Sequence, residues 1–327
     1  VVGDISRALA AELRSRGLDP AAVLRVIGAG LAEDLADGPD VTTAATIPAE
    51  AQGTANVVAR RPGIVAGLYV ADAVFQLVGA GDGSAAAVQR AAAPIVRDDL
   101  PSEPSEGFQL TSRHYIADGD KVSAGDVLMT VHGPLRVILT AERTALNVLG
   151  HMSGIATLTG QWVEAVAGTG ARIRDTRKTL PGLRALEKYA VRCGGGFNHR
   201  MSLSDAALIK DNHVAGAGSV TAAFDAVGKL APDLPVEVEC DTLEQVDEAV
   251  AAGAGLILLD NFTVADMVEA VKRTAGLAKL EASGGLRLED AAAVAATGVH
   301  YLAVGALTHS APVLDIGLDL VLPGSER

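Results

Sequence analysis

The sequence predicts an α/β protein in two parts, and three observations carry that reading. Its 327 residues exceed one average domain of about 150 residues. Hydrophobic residues make up 49% and charged residues 20%, which supplies a core and shows no signature of disorder. Past residue 150, short apolar runs alternate with helical stretches, as parallel strands joined by helical crossovers do. With aromatics at only 3%, the core is built from Ala, Val, Leu and Ile.

Composition also excludes. The longest apolar runs, such as Leu256–Leu259, are strand-sized rather than the roughly 20 residues of a membrane span. Lys and Arg number 27 against 40 Asp and Glu, a net charge of −13. Such a field repels nucleic acid and anionic lipid, so neither is an expected partner. An anionic ligand must then be held by a local basic cluster. Cys193 and Cys240 make no disulfide framework and fit a reducing cytoplasm. They read as small hydrophobes rather than nucleophiles. The opening residues form an amphipathic polar stretch without the basic start and apolar run of a secretory leader.

Before residue 150 the signals are mixed and indicate an α+β unit. A helix is expected over 5–17, short strands at 54–59, 64–67 and 128–133, and a helix over 70–77. The passage 116–134 has the paired Gly-Asp turns of biotinyl and lipoyl carriers. No lysine follows Lys121 before Pro134 to bear a prosthetic group, so the passage reads as β-meander scaffolding.

After residue 150, strands are expected at 171–175, 206–211, 235–240, 255–260, 278–283 and 300–305. Helical patterns lie at 242–253, 263–276 and 288–298, each closing on Gly. Six strands fit a small or incomplete β/α barrel, or an open doubly wound sheet. The polar residues gather at the strands' carboxyl ends: Arg177 and Lys178, Lys210 and Asp211, Glu239, Asp260, Ser283-Gly284-Gly285, and Gly305. In barrels that rim is where active sites form.

Arg177, Lys178, His199, Arg200 and Lys210 are expected to act as cations there, with Arg143 as a further one. Cations crowded on an acidic chain suit a polyanionic substrate. Glu239 and Asp260 are too few for a metal cage and suit a hydrated Mg²⁺ shared with a diphosphate. The Gly turns at 283–285 and 304–307 each follow a strand and precede a helix, the usual phosphate position in barrels. No nucleophile elbow, P-loop, dinucleotide fingerprint, zinc motif or C-x-x-C competes.

The segments DTRKTLPGLRALEKYAVRCGGGFNHRMSLSDAALIKDNH (175–213), VEVECDTLEQVDEA (236–249), LLDNF (258–262), EASGG (281–285) and VGALTHSAP (304–312) together resemble the quinolinate phosphoribosyltransferase family. AERTALNVLGHMSGIAT (141–157) resembles the helix leading into that family's barrel. The resemblance covers nearly the whole chain. It implies an N-terminal α/β open sandwich over 1–148, a six- or seven-stranded incomplete β/α barrel over 149–311, and a segment 312–327 packing back on the first domain. It implies a homodimer, or a higher oligomer, with shared active sites.

The implied substrates are quinolinate and 5-phosphoribosyl 1-diphosphate with Mg²⁺; the implied products are nicotinate mononucleotide, diphosphate and CO₂. Quinolinate would be held by Arg143 from the other subunit with Thr176, Arg177, His199, Arg200 and Lys210. Lys178, Glu239 and Asp260 would be catalytic, the two acids holding Mg²⁺ indirectly. Ser283, Gly284, Gly285, Gly305, Ala306 and Leu307 would bind phosphate. Two alternatives share parts of this pattern: a nicotinate phosphoribosyltransferase, handling one carboxylate, and a Schiff-base aldolase using Lys210.

Overall fold

A computed structural model of the chain describes residues 5–35, 37–80 and 110–321. They divide into two units, Val1–Thr157 with Pro181–Cys193 and Ala311–Arg327, and Leu158–Leu180 with Gly194–Ser310.

In the first unit, β1 (Gln52–Ala59), β3 (Thr111–His114), β5 (Val127–Pro134) and β12 (Ile316–Leu320) form an antiparallel sheet in the order β12-β1-β5-β3. The C-terminal strand thus pairs with the first strand, with Val57 opposite Leu318. Strands β2 (Gly63–Ile64) and β4 (Lys121–Val122) make a separate ribbon. The passage that resembles a carrier turn does structural work here. Asp118 Oδ1 accepts hydrogen bonds from the N–H groups of Gly67 and Leu68, both at 3.0 Å, and so caps the helix Leu68–Gly79.

The helix Leu135–Ala165 follows β5 directly. Ile138, Ala141, Ala145, Leu149, Met152 and Ala156 are all buried, spaced by three or four residues as one face of a helix requires. Sequence rhythm put residues 181–193 within the barrel; the helix Arg184–Cys193 instead belongs to the first unit. Contacts that sequence order hides hold it there. Buried Glu187 lies 3.0 Å from His151 Nε2, Tyr189 Oη donates to Asp118 Oδ2 at 2.6 Å, and Arg192 donates to the Arg16 carbonyl at 2.7 Å.

The second unit contains six parallel strands: β6 (Arg172–Arg174), β7 (Ala207–Ile209), β8 (Val236–Cys240), β9 (Leu256–Asp260), β10 (Lys279–Ser283) and β11 (Tyr301–Ala303). Each falls within a segment expected from the sequence. Their order is β6-β11-β10-β9-β8-β7, so the last strand pairs with the first and only the β6–β7 seam stays open. Phe197 occupies β6's edge at that seam, its N–H donating to the Ile173 carbonyl at 2.8 Å. This is the incomplete barrel, with six strands. Ile173, Ile209, Val238, Ile257, Leu280 and Leu302 are buried and form the aliphatic face of the strands. Thr242 and Thr263 cap the following helices, accepting from Gln245 and Asp266 N–H.

One position tests the packing of the first unit. A Cβ at Gly154 would lie 2.0 Å from the Pro312 carbonyl oxygen. Gly154→Ala should therefore destabilise by about 1–3 kcal/mol through overpacking, although alanine is favoured in a free helix by about 1 kcal/mol. Urea unfolding of the purified variant reads the sign directly.

Candidate active site

Side chains alternate across each strand, which puts Glu237 and Glu239 on one face of β8, and Lys279, Glu281 and Ser283 on one face of β10. Neighbouring β9 contributes Asp260 level with Ser283. The carboxyl-end rim gathers most of the expected residues into three corners.

In the first corner, Thr176 Oγ1 accepts the Lys178 N–H at 3.0 Å, and Thr308 Oγ1 donates to the Lys178 carbonyl at 2.8 Å. A Cβ at Gly305 would stand 3.1 Å from Lys178 Cδ, so the glycine leaves room for that side chain. In the second corner, Lys210 Nζ forms an ion pair with Glu239. In the third, Asn261 Nδ2 donates to Asp260 Oδ2 at 2.8 Å and Asn261 N–H donates to the Ser283 carbonyl at 3.0 Å. Gly284 has φ +91° and a Cβ there would meet Asn261 Oδ1 at 2.2 Å; only glycine fits.

Arg177 and Arg200 lie close enough to oppose each other's charge. Burial first, and Arg177 second, pull the Arg200 guanidinium below its ordinary value. Arg200 Nη1 donates to the Ala206 carbonyl at 3.0 Å, while Arg177 Nε is buried without a hydrogen-bond partner among the described residues.

Two expectations change, and a third residue lies where expected. His199 is not presented as a cation: its Nδ1 accepts the Arg200 N–H at 2.7 Å and its Nε2 lies 2.7 Å from Glu237 Oε2. The helices after the Gly turns are short, Ala306–His309 after Gly305, and a 3₁₀ turn Leu288–Asp290 running into Ala291–Ala295 after Gly285. Leu307 is buried, so only the backbone of 305–307 is suited to phosphate. Arg143 lies in the first unit, exposed on its helix and without an ion pair to Glu142 among the described residues.

The sequence reading missed Asp175, Arg174, Glu237 and Glu281. Buried Asp175 accepts His199 N–H at 2.8 Å and Asn198 Nδ2 at 2.5 Å, tying that loop to the end of β6. Arg174 pairs with the buried Glu281. The signal was present: VEVEC and KLEAS place an acid one step below Glu239 and Ser283 on the same face. A cavity of about 490 Å³ reaches this layer, lined by Arg174, His199, Arg200 and Glu237 among others. Burial, and then Glu237, push the Glu281 carboxyl up to about 8 despite Arg174. Both thiols, Cys193 and Cys240, are free and pushed up to about 12 by burial, so neither is a ready nucleophile.

The profile described as Quinolinate phosphoribosyl transferase, C-terminal domain, matches residues 155–319, and the N-terminal domain profile matches 40–153. The chain belongs to this family of two-domain phosphoribosyl transferases. It is 53% identical over 293 residues to the Mycobacterium leprae (strain TN) nicotinate-nucleotide pyrophosphorylase [carboxylating], covering 89% of this chain and 94% of that protein. The solved nicotinate-nucleotide pyrophosphorylase of Francisella tularensis superposes with TM-score 0.80 at 35% identity, over 92% of this chain and 96% of that one. Human Nicotinic Acid Phosphoribosyltransferase shares the fold, at TM-score 0.58 and 16% identity over 87% and 73% of the two chains.

Glu281 makes stability depend on pH. Its folded value of about 8 exceeds the ordinary 4.5, so between those values the folded state keeps a proton that the unfolded chain releases. Stability should fall as pH rises through that window and level off above it. Glu281→Gln should show a shallower decline than the wild type, measured as urea midpoints across the window.

Proposed function

We propose that this site transfers phosphoribosyl from 5-phosphoribosyl 1-diphosphate to quinolinate with decarboxylation, giving nicotinate mononucleotide, diphosphate and CO₂, a step of NAD biosynthesis. The observation that supports it most is the crowding of Arg177 and Arg200 at one end of a barrel in a chain of net charge −13, in a member of this family. Quinolinate carries carboxylates on adjacent ring carbons and needs several cations in a small volume. Arg177, Arg200 and Lys210 supply them, with Thr176 at the edge of the same rim.

The backbone N–H groups of 283–285 and 305–307 suit the sugar's 5′-phosphate, and Lys178 faces its diphosphate. As diphosphate departs, the ribose C1 takes on oxocarbenium character, which nearby carboxylates stabilise. The pyridine nitrogen attacks C1. As CO₂ departs, the pyridinium stabilises the electron pair left on the adjacent ring carbon, which then takes up a proton from solvent.

Two carboxylates at neighbouring strand ends, one already balanced by Lys210 and the other held by Asn261, form an all-oxygen donor set too small to enclose a metal. That fits Mg²⁺, which keeps its own waters. Glu239 and Asp260 would hold it, and when bound it neutralises charge on the departing diphosphate.

Incubation with 5-phosphoribosyl 1-diphosphate, Mg²⁺ and quinolinate should yield CO₂ and nicotinate mononucleotide. Mononucleotide formed from nicotinate but not from quinolinate would favour the one-carboxylate alternative, and borohydride trapping of a carbonyl substrate on Lys210 would favour the aldolase. Arg200→Ala should weaken quinolinate binding by about 2–5 kcal/mol, as loss of a charge partner does, and Lys210→Ala by less, because its side chain is 45% exposed and already paired with Glu239, with the fold retained by circular dichroism in both.

The working form is inferred to be a cytoplasmic homodimer in which each site takes Arg143 from the other subunit, since a dicarboxylate calls for a further cation and this exposed one has no ion pair among the described residues. Mixing Arg143→Ala with Lys210→Ala under subunit exchange should then restore roughly a quarter of wild-type activity, because half of the statistically mixed symmetric dimers carry one intact site. No recovery despite exchange would place Arg143 in its own site or in none.

A further inference from the structure

Between the rim and the amino ends of the strands, the barrel encloses four ionisable side chains: Arg174, His199, Glu237 and Glu281. The central one is His199, buried at 8% exposure. Its Nδ1 receives the Arg200 N–H at 2.7 Å. A backbone N–H only donates, so this nitrogen carries a lone pair, and the proton of the neutral ring sits on Nε2. Nε2–H then points at Glu237 Oε2, 2.7 Å away.

We propose that Glu237 is a positioning residue: it fixes His199 as the neutral Nε2–H tautomer, and the ring holds the Arg200 backbone so that its guanidinium faces a quinolinate carboxylate. This rests on the reading of Arg200 as a carboxylate ligand given above. A doubly protonated ring would set donor against donor at the Arg200 N–H and release it. His199 therefore contributes orientation, not charge. The rest of the anchorage agrees. Asp175 accepts the His199 N–H at 2.8 Å, and the Arg200 guanidinium is braced on the Ala206 carbonyl at 3.0 Å.

The same layer suggests a second use, which the geometry rejects. His199, Glu237 and Glu281 bring one ligand atom each within 4.8 Å of one another, the spacing of a cation site. But Arg174 already pairs with Glu281, and His199 directs a proton rather than a lone pair at the acids. Glu281, 3.8 Å from Nε2, leaves the ring to Glu237, 2.7 Å away.

The test combines steady-state kinetics with the ¹⁵N spectrum of histidine-labelled enzyme. Glu237→Ala should raise KM for quinolinate about tenfold to a hundredfold, the penalty of a slightly misplaced binding group. KM for the sugar diphosphate should change by less than about twofold, because its ligands sit elsewhere on the rim. Glu237→Gln, whose amide oxygen still accepts from Nε2–H, should recover most of the quinolinate affinity; a merely structural acid would show no such split. The wild-type spectrum should show His199 protonated on Nε2 and bare on Nδ1. A folded Glu237→Ala enzyme with unchanged KM for quinolinate, or a wild-type ring protonated on Nδ1, overturns the proposal. Should Glu237→Ala not fold, the spectrum and the Glu237→Gln kinetics decide it. Arg200→Ala separates the two levels. If it leaves quinolinate binding intact, the carboxylate reading has failed; if it abolishes binding while Glu237→Ala does not, only the positioning role has.

Discussion

The buried pairing of Arg174 with Glu281, beside the His199–Glu237 contact, is the constraint around which the barrel is arranged. Removing charges from water costs several kcal/mol per ion unless each meets a partner of good geometry. Here Arg174 meets Glu281, and the His199 ring meets Glu237 through Nε2. Replacing any member leaves another buried without compensation. The interior layer thereby admits one arrangement, whereas an aliphatic filling would tolerate several.

That layer supports a rim of the opposite electrostatic character to the chain. The protein repels anions at long range, yet Arg177 and Arg200 crowd one mouth. In the proposed reading, a dicarboxylate bound there would relieve the mutual repulsion of the two guanidiniums. Lys210 differs, because Glu239 already neutralises it. A ligand at that corner must exchange one carboxylate partner for another and gains correspondingly less. Selectivity for two carboxylates over one is then expected to rest more on the arginines than on the lysine.

Most of this architecture was legible in the residues. Strands such as PVEVEC and GLILLD announce themselves by β-branched, apolar runs closed by an acid, and Thr242 and Thr263 mark helix starts by the chemistry of their hydroxyls. The amphipathic pattern of the Arg184–Cys193 helix says that it packs and not on what; its contacts with His151, Asp118 and Arg16 decide that. The acids Glu237 and Glu281 lie two residues before Glu239 and Ser283, on the same strand faces, but the strand-end pattern alone does not mark them, because it points to the rim and not to the layer beneath it. His199 was read by its capacity for charge. Its tautomer depends on a neighbour's backbone N–H, which no residue pattern encodes.

The two thiols have a practical side. Alkylating reagents attack the thiolate, and a group held near 12 is almost wholly protonated at neutral pH. Cys193 and Cys240 should stay silent to maleimides while the fold is intact. A single cysteine introduced on an exposed helix would then carry a fluorophore or spin label at one defined place, without first stripping the native residues. At Cys240, which is buried, the same silence makes uptake of reagent a gauge of how often the interior opens.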